Sequence, residues 1–155
     1  MKVLKIGLLV IAAVLVVVLV AAPIGPLPGV FTGGAPAEAP AQWPDTSSVH
    51  EIRLKVPGTL PRVVTIWVID HAGDLHIVGA SDSGWVRKLG SGSPVDMRLG
   101  GATYSLRATP VTEGWQPVLE AYVEKYRPDY PEIVAGIPSI EEARGQISVF
   151  RLDRI

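Results

Sequence analysis

An unbroken apolar run extends from Ile6 to Ala22 near the start of the sequence. Its seventeen residues, if helical, span roughly 25 Å, which is at the short end for a helix that crosses a bilayer. The run is longer than the apolar core of a typical secretory signal, and Pro23 ends any helix directly after it. It therefore predicts a transmembrane anchor at residues 6–22, which leaves the residues after it to form a folded domain.

The lysines near the start of the chain predict the orientation of this anchor. Lys2 and Lys5 precede the run, and no lysine or arginine follows it closely. By the positive-inside rule, residues 1–5 then lie in the cytoplasm and the domain lies on the external or periplasmic side. A cleaved signal is the alternative, because the small residues Val20-Ala21-Ala22 offer a site before a cut. Pro23 after that cut favours an uncleaved, single-pass membrane protein.

Residues 23–47 are rich in residues that break regular structure, with six prolines and four glycines. This composition disfavours helix and sheet, and it is typical of an extended, partly stiff chain. We predict a tether that holds the domain, residues 48–155, away from the bilayer. Phe31 and Trp43 are apolar exceptions, and packing against the domain is the role expected for them.

The part of the chain after the tether has the composition of an ordinary soluble domain. Of the 14 basic and 15 acidic side chains, only Lys2, Lys5 and Glu38 precede residue 45. The formal net charge is −1 and no basic arm is present, which gives no reason to expect nucleic-acid binding. Cysteine is absent, so disulfides, thiolate metal sites and a cysteine nucleophile are excluded.

Alternating hydrophobicity predicts six β-strands in the domain. Gly100-Gly101 supplies a two-residue turn between two of them, which is typical of a hairpin. Apolar residues at helical spacing from Trp115 to Tyr126 predict one main helix, which Pro128 ends. The strands are expected at residues 49–56, 62–70, 75–80, 95–99, 104–108 and 146–153, with short helical pieces at 85–89, 131–135 and 139–144. This order predicts an α+β domain, built as a small six-stranded antiparallel barrel with one main helix.

The strand predicted at residues 62–70 differs from the others because it is apolar on both faces. One face is expected to contact the barrel core, while the other needs a helix or a partner molecule to cover it. A single main helix covers only part of that area. We therefore expect the domain to form a homodimer.

Most motifs that identify a reaction are missing from the sequence. No nucleophile elbow and no phosphate-binding glycine loop is present. His71 and His76 flank a predicted turn together with Asp70 and Asp74, but their spacing matches no known metal-ligand motif. We therefore predict no metal site, and no residue stands out as a catalytic acid or base.

A group of polar and cationic residues follows the third predicted strand. Two hydroxyls, an indole and two cations lie close together in the sequence: Ser81, Ser83, Trp85, Arg87 and Lys88. Ser83 is placed to cap the short helical turn, and this combination of groups can hold a phosphate. The alternative is that Arg87 and Lys88 are solvated cations while Trp85 plugs one end of the barrel.

The same region is similar to a known superfamily. The segments that carry the similarity are Trp85 to Leu89, Pro94 to Gly101 and Tyr104 to Glu113. They resemble the split β-barrel flavin-binding superfamily, the pyridoxamine phosphate oxidase-like proteins, and within it the deazaflavin-dependent nitroreductase branch. In that branch a tryptophan and a leucine on the short helix precede a proline-valine strand and a Gly-Gly hairpin. The similarity covers about residues 62–153.

The resemblance implies a split β-barrel, usually dimeric, that binds FMN, a deazaflavin or occasionally haem at the dimer interface. It also implies where a flavin would bind. The residues implied are Ser81, Arg87 and Lys88 for the phosphate, Thr65 and Trp67 near the ring, and Ser83 and Trp85 beside them.

Three functions are compatible with these features. The first is a membrane-anchored flavin- or deazaflavin-type oxidoreductase of unknown substrate. The second is a small-molecule-binding module without redox chemistry, in which the barrel holds an apolar ligand such as a lipid or a haem breakdown product. The third is a structural dimer near the membrane. If a flavin is bound, it carries the hydride itself, and the protein contributes position and charge.

Overall fold

A computed structural model describes residues 31–59 and 61–155 of the chain. The predicted cytoplasmic segment at residues 1–5 and the predicted anchor at residues 6–22 lie outside the described residues, as does the first part of the predicted tether. Within the described ranges, no helix has the length and apolar character that are needed to cross a membrane.

The described residues form eight β-strands and four helices. The strands are β1 (Ala35–Ala37), β2 (Glu51–Val56), β3 (Arg62–Trp67), β4 (Ile69–His71), β5 (Asp74–Ala80), β6 (Ser93–Leu99), β7 (Ala102–Pro110) and β8 (Ile147–Arg154). The helices are α1 (Gly84–Leu89), α2 (Gln116–Tyr126), α3 (Pro131–Ala135) and α4 (Ile140–Ala143).

Seven of these strands form one antiparallel sheet in the order β3-β2-β6-β7-β8-β5-β4. The strands at the two ends of this order, β3 and β4, are consecutive in the chain and are separated only by Val68. The sheet therefore curls into a half-barrel, because a flat sheet cannot bring its outermost strands together. β1 lies outside this order and pairs in parallel with the start of β7. The predicted α+β architecture, composed mostly of antiparallel sheet, is confirmed.

The prediction of six strands is wrong at residues 62–70, which divide into β3 and β4 at Val68. Trp67 is the last residue of this stretch that pairs with β2, and Ile69 is the first that pairs with β5. The residues on both sides of the break are equally apolar, so the alternation of residue types does not reveal it. The other five strands begin and end within two residues of the predicted positions.

Two side chains of helix α2 stabilise the break between β3 and β4. The Val68 N–H donates to the Tyr126 hydroxyl at 2.9 Å, and the Val68 carbonyl accepts from Lys125 Nζ at 2.8 Å. Tyr126 is fully buried, and burial raises its pKa to about 12. Val68 pairs in neither ladder, so these side chains satisfy backbone groups that would otherwise be buried without partners.

Part of the predicted tether packs against the barrel. The prediction that residues 23–47 contain no sheet is wrong for β1, where Ala35–Ala37 pairs with β7. A glycine permits the close approach, because a side-chain carbon at Gly34 would lie 2.8 Å from Thr103 Oγ1. Prolines and glycines exclude long regular elements, but they do not prevent a three-residue strand from adding to an existing one.

Trp43 attaches the rest of this segment to the barrel. Its side chain is 6% exposed and packs edge-on against Tyr104, with the ring centroids 5.2 Å apart. The Arg154 guanidinium lies 5.1 Å from the centroid of the indole and donates to the Pro40 carbonyl at 2.7 Å. The expected packing of Trp43 is confirmed, whereas Phe31 is 69% exposed.

Two buried hydrophobic clusters hold the domain together, one on each side of the curled sheet. The first fills the interior of the half-barrel and includes Leu54 and Ile77. The second lies between the sheet and α2 and includes Val78, Leu119 and Val149. Ile77 and Val78 are neighbours on β5 and therefore point to opposite faces. Helix α2 thus supplies a cover for the outer face of the sheet.

His76 on β5 makes the stability of the fold depend on pH. The side chain is 6% exposed, and burial lowers its pKa below the ordinary value of 6.5. As the pH falls, the unfolded chain binds a proton before the folded chain does, which favours unfolding. The stabilising contribution of a neutral His76 is therefore complete above about pH 6.5 and declines as the pH falls from there through the folded-state pKa.

Chemical denaturation of the wild type and of His76→Gln at pH 7.5 and pH 5.0 tests this expectation. The variant should lose less of its free energy of unfolding between the two pH values than the wild type does, because glutamine does not titrate. An equal loss in the two proteins would show that other groups cause the pH dependence.

Candidate functional site

A cleft opens where β3 and β5 move apart. On the N-terminal side of Val68, β3 pairs only with β2, while β5 after His76 pairs only with β8. The gap between the two strands has a volume of about 330 Å³, and we call it the aromatic cleft. Its lining is mainly aromatic and aliphatic, and it includes Trp67, Trp85, Tyr122, Ile66, Ile133 and Ile137.

Trp85 reaches the aromatic cleft because the position that faces it on β5 is a glycine. A side-chain carbon at Gly79 would lie only 2.3 Å from Trp85 Cζ2 and 2.9 Å from Val86 Cγ2. The indole also packs against Phe150, with the ring centroids 6.5 Å apart. Trp85 is half-buried, so part of its surface contacts the core while another part lines the cleft.

The wall of the cleft nearest to α2 is a group of packed aromatic rings. Trp67 stacks on Tyr126, with centroids 4.2 Å apart and an angle of 11° between the ring planes. The Tyr122 ring centroid lies 5.8 Å from that of Trp67. Burial raises the pKa of Tyr122 well above its usual range, so its hydroxyl is neutral at physiological pH. This wall is therefore aromatic and uncharged, which suits the face of an aromatic ligand.

Two buried polar atoms without partners lie at the start of α1. They are Arg62 Nε and Ser83 Oγ, and the described residues provide no hydrogen-bond partner for either. A side-chain carbon at Gly84 would lie 3.7 Å from Arg62 Nη1, so the guanidinium is close to the first residue of α1. Neither Arg62 nor Ser83 is among the residues that line the aromatic cleft, but Trp85, which does line it, follows Gly84 directly in α1. A buried donor without an acceptor costs roughly 1–3 kcal/mol, and an anionic ligand at this point would remove that cost.

A second cleft, of about 450 Å³, is lined by apolar residues such as Trp115 and Phe150 together with the polar and cationic residues Ser81, Arg87, Arg144 and Ser148. The hydroxyls of Ser81 and Ser148 are 2.9 Å apart and share a hydrogen bond. Both arginines are exposed, and no acidic residue is among the described residues that line this cleft. It can attract an anion, but exposed cations bind weakly because water screens them.

The structure divides the predicted cofactor-binding residues between these two clefts. Thr65 and Trp67, the residues predicted near a ring, line the aromatic cleft, and so does Trp85. Ser81 and Arg87 line the second cleft. Ser81 also lines a third cleft, of about 690 Å³, which adjoins the aromatic cleft, whereas Arg87 does not. A cofactor-binding role for any of these residues stays a prediction.

The remaining two predicted residues line neither cleft. Ser83 is the N-cap residue of α1, as predicted, but its side chain makes no capping hydrogen bond. Lys88 is exposed on the same helix. Sequence reasoning missed Arg62, which begins β3, and Arg144, because nothing in their spacing connects them with the group at residues 81–88. It did not single out Tyr122, which is buried and also lines the aromatic cleft, because helical periodicity does not distinguish a core residue from one that lines a cleft.

The described residues contain no metal centre. His71 and His76 have ring centroids 6.3 Å apart, and His76 Nδ1 lies 3.0 Å from the Asp74 carbonyl oxygen. Across residues 31–59 and 61–155, no three histidine, aspartate or glutamate side chains are grouped closely enough to hold a metal ion.

No family model matches the sequence, and no curated protein matches it either. Among solved structures, the FAD and haem binding protein from Mycobacterium smegmatis superposes with a TM-score of 0.51 at 13% identity, over 70% of this chain and 62% of that one. A protein of unknown function from Agrobacterium tumefaciens superposes with a TM-score of 0.50 at 14% identity, over 76% of this chain and 58% of that one. The haem storage protein HutZ from Vibrio cholerae gives a TM-score of 0.49 at 12% identity, over 70% and 84%.

These comparisons show the fold of the chain. It is a split β-barrel like that of the FAD and haem binding protein, so the predicted fold is confirmed, whereas a flavin or haem ligand stays a prediction. The chain spans about three fifths of the length of the two structures with the highest TM-scores among those described above. The homodimer, the external location and the deazaflavin branch stay predictions.

Proposed function

We propose that this chain binds a flavin-type cofactor, with the ring system in the aromatic cleft and the phosphate beside Arg62 and Ser83. FMN and a deazaflavin are the candidate cofactors, as the family resemblance implies. The observation that carries the proposal is that two buried donors without partners lie at the start of α1, the helix whose Trp85 lines an uncharged aromatic cleft. A ligand with one flat ring system and one phosphate matches both features.

The dimensions and the donor groups support this assignment. The aromatic cleft, at about 330 Å³, lies at the lower end of the range of roughly 300 to 1,000 Å³ that small-molecule sites occupy. A neighbouring cleft of about 690 Å³ shares Ala80, Ile137 and Ile147 with it and extends the available space. Aromatic walls hold a flat ring by stacking, and an arginine with a serine hydroxyl can donate several hydrogen bonds to a phosphate.

The residues of the cleft are suited to binding and orientation. Among the described residues that line it, Tyr122 alone has an ionisable side chain, and burial raises its pKa so far that it stays neutral. A bound flavin supplies the hydride chemistry itself. Trp67 and Trp85 would exclude water from the ring, and the Thr65 hydroxyl offers a polar contact at the edge of the cleft.

The shortage of acid–base groups in the cleft also favours a second function, a binding module without redox chemistry. The two functions differ in what happens after a cofactor is bound. If a nicotinamide donor bleaches the absorbance of the bound oxidised flavin repeatedly in the presence of an acceptor, the chain is an oxidoreductase. If the flavin binds but stays oxidised, or if only an apolar ligand binds, the chain is a binding module.

Arg62→Gln is expected to weaken FMN binding by about tenfold and to leave riboflavin binding unchanged, because riboflavin lacks the phosphate. The full chain, solubilised in a mild detergent, is titrated with both ligands, and quenching of flavin fluorescence reports binding. Arg87→Gln is the matched control, since it removes the same charge from the second cleft. In the ligand-free protein, Arg62→Gln should not lower the melting temperature, because the donor that it removes has no partner there.

Two results would contradict parts of this proposal. If Arg87→Gln removes the preference for FMN over riboflavin and Arg62→Gln does not, the phosphate binds in the second cleft. If the wild type binds neither FMN nor a deazaflavin below about 100 μM, the flavin proposal is abandoned in favour of a module for apolar ligands.

A further inference from the structure

Two arginines face each other on the outer surface of the sheet. In the ladder between β2 and β6, Arg53 lies directly opposite Arg98. Their neighbours Leu54 and Met97 are buried in the interior of the half-barrel, so the arginine side chains point outward. Directly opposed residues have Cβ atoms about 4.5–5.5 Å apart, and like charges in this arrangement are destabilising. The register of the sheet thus holds two positive charges together.

The two guanidinium groups converge at one place, beside Gly33. A side-chain carbon at Gly33 would lie 2.7 Å from Arg98 Nη1 and 4.0 Å from Arg53 Nη1. Arg98 is held in this position by its Nε, which donates to the Gly100 carbonyl at 3.0 Å. The arginines therefore do not diverge into solvent, as two repelling surface cations would be expected to do.

The residues beside the two arginines in the same cross-strand row are threonines, which carry hydroxyl groups. Thr65 lies beside Arg53, and Thr103 lies beside Arg98. The Thr103 hydroxyl donates to the Gly33 carbonyl and so holds the backbone next to the two guanidinium groups. The Thr65 side chain is exposed and lies at the edge of the aromatic cleft.

The acidic residues nearby on the same strands do not neutralise this pair. Asp96 lies on β6, where it contacts Lys55 Nζ at 3.7 Å and accepts from the Ser105 hydroxyl at 2.9 Å. Glu51 lies on β2, opposite Trp67 of β3. Among the residues that the structure describes, no carboxylate lies within 4.0 Å of either arginine.

We propose that Arg53 and Arg98 form a phosphate-binding site that is separate from the flavin site. Its ligand is a phosphate monoester or diester, because two convergent guanidinium groups donate several charge-assisted hydrogen bonds to the oxygens of one phosphate. The bound anion would also relieve the repulsion between the two arginines.

The phosphate has two possible sources, a lipid headgroup or a free phosphate ester. The short distance along the chain between the predicted anchor and the arginine pair favours a lipid headgroup. Only ten residues, 23–32, separate the end of the predicted anchor from Gly33, and ten extended residues reach at most about 35 Å. If residues 6–22 are inserted in a bilayer, the arginine pair lies within that distance of the headgroups.

Modification of arginine side chains by phenylglyoxal, measured on the full chain by peptide mass spectrometry, tests the site. In the first arm the chain is in detergent, with inorganic phosphate or with chloride at equal ionic strength. In the second arm it is in nanodiscs of phosphatidylcholine, with or without phosphatidylglycerol. Arg107 and Arg127 are exposed and serve as controls within the same molecule.

We expect Arg53 and Arg98 to react at least about fivefold more slowly with the ligand present, while the controls change less than about twofold. Protection by inorganic phosphate in detergent identifies a free phosphate ester as the ligand, and protection only in anionic nanodiscs identifies a lipid headgroup. If neither arm protects the pair, or if all four arginines are protected equally, the proposal is wrong. The assay contains no flavin, so its result does not depend on the proposed function.

Discussion

Gly79→Ala is expected to lower the free energy of unfolding by about 2–3 kcal/mol, although it adds only one methyl group. The new carbon would lie 2.3 Å from Trp85 Cζ2, far inside the contact distance of two carbon atoms. Trp85 cannot move inward, because it packs against Phe150 and the core of the half-barrel. The indole must therefore be displaced, which removes one wall of the aromatic cleft. Chemical denaturation measures the loss of stability.

The same substitution should reduce the affinity for FMN by at least about tenfold if the ring binds in the aromatic cleft. Titration of the full-length variant with FMN and with riboflavin measures this, and both ligands should be affected equally because the ring site is damaged. Arg62→Gln, in contrast, should affect FMN alone. The two variants together separate the contribution of the ring from that of the phosphate.

Gly101→Ala is the matched control, because nothing lies within 4 Å of the added carbon at that position. It should change the free energy of unfolding by less than about 0.5 kcal/mol. Trp85→Phe combined with Gly79→Ala should be less destabilising than the sum of the single changes by about 1 kcal/mol or more, since the smaller ring leaves room for the methyl group. If Gly79→Ala is tolerated as well as Gly101→Ala, the steric argument is wrong.

Lys125→Met is expected to lower the free energy of unfolding by about 2–3 kcal/mol. The ammonium donates to three backbone carbonyls, at 2.9 Å to Thr46, 2.8 Å to Val49 and 2.8 Å to Val68. Methionine preserves the length of the side chain but removes all three donors. Because the site is only partly buried, water can replace some of the lost hydrogen bonds, which keeps the expected cost below that of three fully buried carbonyls.

The three carbonyls belong to different segments of the fold, so the loss of Lys125 should also destabilise individual segments. Hydrogen exchange should become faster at residues 46–49, which Lys125 ties to the barrel, before global unfolding occurs. Lys125→Arg should have an intermediate effect, because the planar guanidinium keeps the charge but cannot reproduce the geometry of three converging donors. Lys88→Met is the control, since Lys88 is exposed. Equal stabilities of Lys125→Met and Lys88→Met would contradict the assigned role.

Sequence-based reasoning selected residues that line the aromatic cleft, but it did not find the arginine at the proposed phosphate position. Thr65 and Trp67 were predicted near a ring, and they line one cleft together with Trp85. Arg62 was not predicted, because it begins β3 and meets α1 only through the curl of the sheet. Lys88 was predicted with its neighbours, but adjacency in the sequence does not decide which cleft a helical residue lines.

The sequence by itself determined the positions of most strands and helices. Alternation of polar and apolar residues, and the breakers between segments, act over a few residues, so they can be read without knowledge of the fold. The same alternation determined which face of a strand such as β2 is buried. It does not determine which other strand lies beside it, because every exposed strand edge offers similar backbone donors and acceptors.

The position at which the chain leaves one β-ladder for another is set by contacts between distant segments. The break at Val68 depends on Tyr126 and Lys125, which are far away in the sequence. The pairing of β1 with β7 and the meeting of Arg53 with Arg98 likewise depend on strand neighbours and register. These features arise from contacts between segments that are far apart in the sequence, and the contacts form only when the sheet curls. A local pattern of residues therefore does not predict them.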